Sequence, residues 1–241
     1  MARQYEDVMR ELLHAIVGGE HAEGDWLPSV DELRTRLGAS RTAVREALRG
    51  LEERGLIAVR AGRGHTITQR ESWDTRAPDV LRACIERGPD PNVLPQAIDA
   101  RAVVERAAAS HASEFATDAD LRLLRSRADL MQRALEPDAA RTLGADDPFV
   151  VAEVWFHRTL AALSENPVLA TLIEPLHVVL AEVRRMRAPE RDSTALLHHQ
   201  RIVEGVLSRD PELAEAAVDG YARQLRRWLA TKPIRTTSTR R

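Results

Sequence analysis

The chain has 241 residues, of which 44% are hydrophobic, 30% charged and only 4% aromatic, and its formal net charge is -2. That length suits two modest domains or one large one, and few aromatics beside abundant Ala and Leu favour helix packed on helix over a β-sandwich. The single cysteine, Cys84, excludes an internal disulfide and a thiolate metal cluster; no run of about 18 apolar residues could span a membrane, and Met1–Arg10 lacks the apolar stretch of a signal peptide, so a cytoplasmic protein is expected.

Residues 1–69 hold three short helical patterns and the one convincing hairpin. Ser29-Val30-Asp31-Glu32 is a capping box, which starts a helix. That helix runs through Leu33 and Leu37 and stops at Gly38, a residue suited to a helix C-terminus. Ser40 then caps a second helix, and the short gap is the turn of a helix-turn-helix. In the second helix Val44, Ala47, Leu48 and Leu51 form an apolar face, with Arg41, Thr42, Arg45 and Arg49 on the other side. Arg41, Arg45 and Arg49 stand one turn apart in a single ridge of like charge, slightly destabilising in an isolated helix and relieved by a polyanion. A guanidinium fork matches both phosphate oxygens and guanine O6 and N7.

Two β-prone runs, Leu56–Arg60 and His65–Thr68, flank the turn Ala61-Gly62-Arg63-Gly64 and read as a basic wing. From Arg34 to Arg63 eight arginines face three acids (Glu46, Glu52, Glu53), a local +5 that the near-neutral total conceals. An Arg-rich amphipathic helix by itself is usually a solvated face. Cap, turn, ridge and basic hairpin in this order instead point to a winged helix that binds double-stranded DNA.

Residues 70–91 read as a connector, with Trp73, Gly88, Pro78, Pro89 and Pro91. From Asn92 to Leu229 the pattern is helical, broken at Thr117-Asp118, Pro137, Asp147-Pro148, Asn166-Pro167, Ala188-Pro189 and Asp210-Pro211. Polar residues before Pro start helices well, and these breaks cut the segment into six or seven.

The stretch Leu27-Pro28-Ser29, then Leu37 to Leu48, then Leu51, Gly55-Leu56 and Gly62-Arg63-Gly64, resembles the GntR family. The resemblance implies that Arg41 and Arg45 contact DNA and that the wing enters the minor groove. Ser40, Thr42, Gly62 and Arg63 match further contacting positions, and with Ser29 and Arg49 they complete the expected DNA-binding set. Val30-Asp31-Glu32 departs from the family's usual Glu-Arg-Glu. The expected consequence is a different operator or one lost phosphate contact.

Glu153-Val154-Trp155-Phe156-His157, Ser164-Glu165-Asn166-Pro167, His199-Gln200-Arg201-Ile202, Asp210 and Arg101-Ala102-Val103-Val104-Glu105 resemble the C-terminal domain of the FadR subfamily. The resemblance implies an antiparallel helical bundle with a central cavity. Many members hold a divalent metal there through one Asp and three His, and the metal helps bind a carboxylate effector. Here Glu153 stands for the Asp, His157 follows one turn later, His199 matches the second His, and Tyr221 occupies the third position. A phenol with a pKa near ~10 is a poor zinc ligand at neutral pH. Glu153, His157 and His199 can still hold Zn, Ni or Mn; the alternative is a polar cavity in which the two histidines hydrogen-bond the effector directly. Arg101 reads either as a surface ion pair with Glu105 or as an anion clamp. The candidate effector set is Arg101, Glu153, His157, His199 and Tyr221, whereas His111, His177 and His198 read as structural or surface residues. Ser72-Trp73-Asp74 with Pro78-Asp79-Val80-Leu81 is similar to repressors of galactonate and related sugar-acid operons.

The expectation is a mainly α homodimeric repressor and not an enzyme. A winged helix-turn-helix over 1–69 and a connector over 70–91 precede a helical effector-binding and dimerisation domain over 92–232, with a basic tail over 233–241. Its effector would be a small sugar-acid-like carboxylate, or another small ligand such as an acyl or amino-acid derivative. One alternative is an effector-independent DNA-binding dimer with a dry apolar centre. A metal-dependent hydrolase using Glu153, His157 and His199 is more remote, because no Gly-x-Ser-x-Gly, Walker loop or His-Glu-x-x-His is present.

Overall fold

The computed structural model describes residues 2–136, 147–187 and 193–231. The breaks expected at Pro137 and Ala188-Pro189 and the tail 233–241 lie outside these. The described residues fall into two compact units that part between Pro91 and Asn92.

In the first unit, α1 (Ala2–Val17) sets Val8, Met9, Leu12, Leu13 and Ile16 at helical spacing, and all are buried. Burying side chains of this size stabilises by roughly 1.5–3 kcal/mol each. The Ser29 hydroxyl accepts from Glu32 N and the Glu32 carboxylate accepts from Ser29 N, so the capping box starts α2 (Val30–Leu37) as expected. Gly38 ends α2 in the left-handed region at φ 60°. Ser40 then caps α3 (Arg41–Glu53), which buries Val44, Ala47, Leu48 and Leu51. α1 and α2 both pack on α3.

β1 (Ile57–Arg60) and β2 (Gly64–Ile67) pair antiparallel with Ile57 opposite Ile67 and Arg60 opposite Gly64. Gly62 and Gly64 adopt φ 70° and 106° in the connecting turn, a conformation that L side chains resist. The residues before α2 add to this sheet, Leu27 N donating to His65 O at 2.9 Å. Residues 70–91, read from sequence as a connector, form a 3-10 turn at Arg70–Ser72 and a helix, α4 (Pro78–Arg87), that packs on α1. Val80, Leu81, Ala83 and Cys84 bury there, and Arg54 Nε meets Asp79 Oδ2 at 2.9 Å.

The second unit is an antiparallel bundle built around α5 (Val93–Phe115). With it stand α6 (Asp118–Arg133), α7 (Pro148–Leu163), α8 (Pro167–Ile173), a 3-10 turn at Glu174–His177, α9 (Val178–Arg187), α10 (Ser193–Leu207) and α11 (Pro211–Ala230). Thr117, Asp147, Asn166 and Asp210 each cap a helix N-terminus through a side-chain oxygen, and three of them do so directly before Pro. Glu165 and Arg209, the residues before Asn166 and Asp210, take φ 51° and 58° and reverse the chain in one step. The small residues Ala97, Ala108, Ala109 and Ala112 let neighbours approach α5, which contacts α7, α8, α9, α10 and α11.

Candidate effector site and nucleic-acid interface

On the first unit, Arg41, Thr42, Arg45 and Arg49 are exposed on α3, opposite its buried face. Arg41, Arg45, Arg49 and His65, with the acids Glu46 and Glu52, line a cleft of about 520 Å³ between α3 and the wing. Gly62 and Arg63 stand exposed at the wing turn. Ser29 and Ser40 are exposed too, with their hydroxyls already engaged in the two helix caps. The surface is therefore a convex basic helix beside a basic hairpin, the shape and charge that fit a groove between phosphate rows. Asp31 sits within it: its carboxylate lies 3.7 Å from an Arg41 guanidinium nitrogen and 3.9 Å from Arg34 Nε.

In the second unit, four helices bring ionisable side chains into the bundle interior. Glu153 and His157 project from one face of α7, His199 from α10, Tyr221 from α11, and Arg101 with Glu105 from α5; all are at least nine-tenths buried. Glu153, His157 and His199 offer ligand atoms that lie within 4.8 Å of one another. His157 Nε2 and His199 Nε2 face each other at 2.9 Å. His199 Nε2 is 3.5 Å from Glu153 Oε1, which accepts a 3.1 Å hydrogen bond from the Tyr221 hydroxyl.

The other ring nitrogens are oriented from behind. His199 Nδ1 lies 2.6 Å from Ala195 O, a group that only accepts, so Nδ1 carries the proton and the Nε2 lone pair points into the cluster. His157 Nδ1 lies 2.8 Å from Glu105 Oε1, and Glu105 is in turn ion-paired with Arg101. A carbonyl and a carboxylate behind two imidazoles is the usual support of metal-binding histidines.

Burial dominates the electrostatics. It raises Glu153 to about 7, with the Arg101 charge and the Tyr221 hydrogen bond opposing the rise. Burial also raises Glu105. It holds His157 and His199 well below the usual imidazole range, helped by Arg101 and His177 for His157 and by His157 and Arg101 for His199, so both rings are neutral at pH 7. Neutral imidazoles and a carboxylate that ionises near neutrality are the donors a divalent cation takes. The residues present therefore fit such an ion.

Two readings from the sequence change here. The Arg101–Glu105 pair is not on a helix surface, since its side chains are 3% and 6% exposed. Glu105, seen only as a partner of Arg101, belongs to the cluster through His157. His177, read as structural or surface, is buried as the first of these, and neither ring nitrogen has a hydrogen bond among the described residues. Such an i,i+4 pair, or a lone His, looks the same in sequence on a wet face and on a buried one; only the packing of α5 against its neighbours separates them. His198 bonds Gln224, and His111 stacks edge-on against Phe115 at 5.9 Å.

Comparison with known proteins agrees with this division. Residues 4–67 match the model of the bacterial regulatory proteins of the gntR family, and residues 96–224 match that of the FCD domain. The HTH-type transcriptional repressor NanR of Citrobacter rodentium is 29% identical over 90% of this chain and 81% of its own length. Its counterpart in Salmonella newport is 28% identical over the same shares. Lar, which controls the expression of the Listeria monocytogenes agr system, shares the fold with a TM-score of 0.61 at 18% identity, over 95% of this chain and 97% of its own. E. coli McbR/YncC does so with a TM-score of 0.52 at 19% identity, over 94% and 97%. Among the described residues no helix is long and apolar enough to cross a membrane.

Proposed function

Because the chain belongs to the gntR family of bacterial regulatory proteins and carries an FCD domain, we propose that it is a dimeric operator-binding repressor released by a small carboxylate bound inside the helical bundle. The observation that carries this reading is the buried side-on edge of Arg101. Of Nε and Nη2, the pair that grips a carboxylate in a fork, Nε has no hydrogen bond among the described residues and Nη2 is held in an ion pair by Glu105. A buried guanidinium edge left in this way is costly unless a ligand completes it. The dry apolar centre of an effector-independent dimer would not hold Arg101, Glu105, Glu153, His157 and His199 together.

Glu153, His157 and His199 would hold a divalent cation, which when bound supplies positive charge for an anionic ligand group. Glu105 and Ala195 O orient the two imidazoles, and Tyr221 orients Glu153. Arg101 binds the carboxylate, and the bundle walls exclude water from it. On the first unit, Arg41, Arg45 and Arg49 approach base edges and phosphates in the major groove, Ser29, Ser40 and Thr42 border the phosphate rows, and Gly62 with Arg63 carry the wing into the minor groove. A dimer reads two half-sites of a near-palindromic operator. The carboxylate favours one arrangement of the chain over the other and so shifts the population away from the DNA-competent one. NanR is a repressor by name, and the sugar-acid class of effector is carried over from the sequence resemblance of the connector.

Thermal unfolding of chelator-treated protein tests the reading, with and without Zn²⁺, Ni²⁺ or Mn²⁺ and a panel of sugar acids, acyl acids and amino acids. A ligand at 100 times its dissociation constant adds about 2.7 kcal/mol, a clear upward shift. No shift with any carboxylate, metal present or absent, contradicts it.

A further inference from the structure

Among the described residues, eight buried side-chain nitrogen and oxygen atoms lack a hydrogen-bond partner, and six of them belong to Arg101, Glu105, His157 and His177. Glu105 Oε1 and the neutral His157 face each other, Nδ1 lying 2.8 Å from that oxygen, and Arg101 has the side-on edge assigned above to a carboxylate. That leaves His177. It sits at the end of the 3-10 turn Glu174–His177 and is only 7% exposed, yet neither ring nitrogen has a hydrogen bond among the described residues. Nδ1 lies 3.4 Å from Glu174 Oε2, but that carboxylate is turned to Arg158, whose Nε it meets at 3.0 Å. The charges of Arg101 and Glu105 both act on His177, and His177 acts in turn on His157, so the ring belongs to the same buried electrostatic group.

Resting on the carboxylate reading, we propose that His177 is a specificity-determining residue that hydrogen-bonds a hydroxyl group of the effector and so selects hydroxy acids over unsubstituted acids of the same length. The chemistry follows from the ring's state. Burial pushes His177 down to about 4, so at pH 7 one nitrogen donates and the other accepts. A hydroxyl can accept from the N–H or donate to the other nitrogen, whereas a carboxylate can only accept. A site built around an unpaired buried hydrogen-bonding group rejects the analogue that lacks the partner, because the group then stays unpaired.

The test compares D-galactonate with hexanoate, two six-carbon acids, by titration calorimetry on the whole chain loaded with Zn²⁺. Wild type should bind galactonate at least about tenfold more tightly than hexanoate. His177→Phe, similar in shape, should lose about tenfold for galactonate and leave hexanoate unchanged, and His177→Gln, which keeps a donor and an acceptor, should retain most of the preference. Should His177→Phe fail to fold, His177→Ala serves the same comparison. Equal loss for both acids, or an unchanged preference in His177→Phe, overturns the role of His177 and leaves the carboxylate reading standing. Equal affinity of wild type for the two acids does the same. Failure of wild type to bind either acid overturns the role of His177, and the carboxylate reading falls with it only if no acid of the wider panel shifts unfolding.

Discussion

The Tyr221 hydroxyl donates a 3.1 Å hydrogen bond to Glu153 Oε1, at the position where the FadR resemblance calls for a third histidine. The residue that replaces a ligand thus holds another candidate ligand, and it favours the ionised form of a carboxyl that burial has raised to about 7. Tyr221→Phe removes that bond with little change of shape. Zn²⁺ affinity at pH 7, measured against a competing chelator, should fall by roughly 10-fold, the low end for loss of a residue that orients a ligand. An unchanged affinity contradicts the role given to Tyr221.

Glu153 also sets a pH dependence. In metal-free protein its pKa is raised, so between pH 4.5 and 7 the folded state keeps a proton that the unfolded state has released. That contribution to stability is complete below pH 4.5 and is lost as pH rises through 7. Glu153→Gln cannot ionise, so its stability relative to wild type should climb across this window by at most on the order of 3 kcal/mol. His157 and His199 act with the opposite sign, stabilising above the ordinary imidazole range and losing that contribution in acid, and they are common to both proteins. Denaturant midpoints at several pH values in chelator read the difference, and a pH-independent difference contradicts it.

Asp31 stands 3.7 Å from Arg41 on an exposed surface, and in the proposed DNA-binding role of that arginine it would compete with phosphate. An exposed pair is worth at most about 1 kcal/mol, so Asp31→Asn should tighten binding to a fixed DNA duplex by only about 3-fold. Asp31→Arg should also steepen the salt dependence by about 0.9 in log–log slope, the signature of one further phosphate contact. Anisotropy titrations at several salt concentrations check both; no change in either variant means that Asp31 lies away from the DNA.

Gly205 marks a close helix approach in the bundle. A Cβ there would stand 2.4 Å from Ala214 N and 2.7 Å from Ala214 Cα, backbone atoms of α11 that cannot step aside alone. Gly205→Ala should therefore cost about 1–3 kcal/mol through overpacking, despite the better helix propensity of Ala. Chemical unfolding measures it, and a stabilised variant contradicts the close crossing.

Local rules carry the elements of this fold, and packing carries the rest. The Ser29–Glu32 box, Gly38, the wing glycines and the polar residues before Pro148, Pro167 and Pro211 act within a few residues, and each appears in the structure at its expected place. The buried face of α3 follows from 3.6-residue periodicity in the same way. Helix α4 was hidden by the prolines around it, although Pro78 stands in its first turn, where Pro is tolerated. Within the effector cluster, Glu153, His157 and His199 were legible by resemblance, whereas Glu105 and His177 were not. Their significance lies in burial without partners, which depends on how α5, α7 and the 3-10 turn converge.

Coupling between the bundle and the operator is the central claim. A duplex selected in vitro for binding to this chain, followed by fluorescence anisotropy, measures it as a sugar acid that binds by calorimetry is added to saturation. Operator affinity should fall about 5- to 150-fold, and Arg101→Gln should bind the same duplex normally while losing the response. An affinity unchanged by the bound acid, or a response that survives Arg101→Gln, contradicts the account.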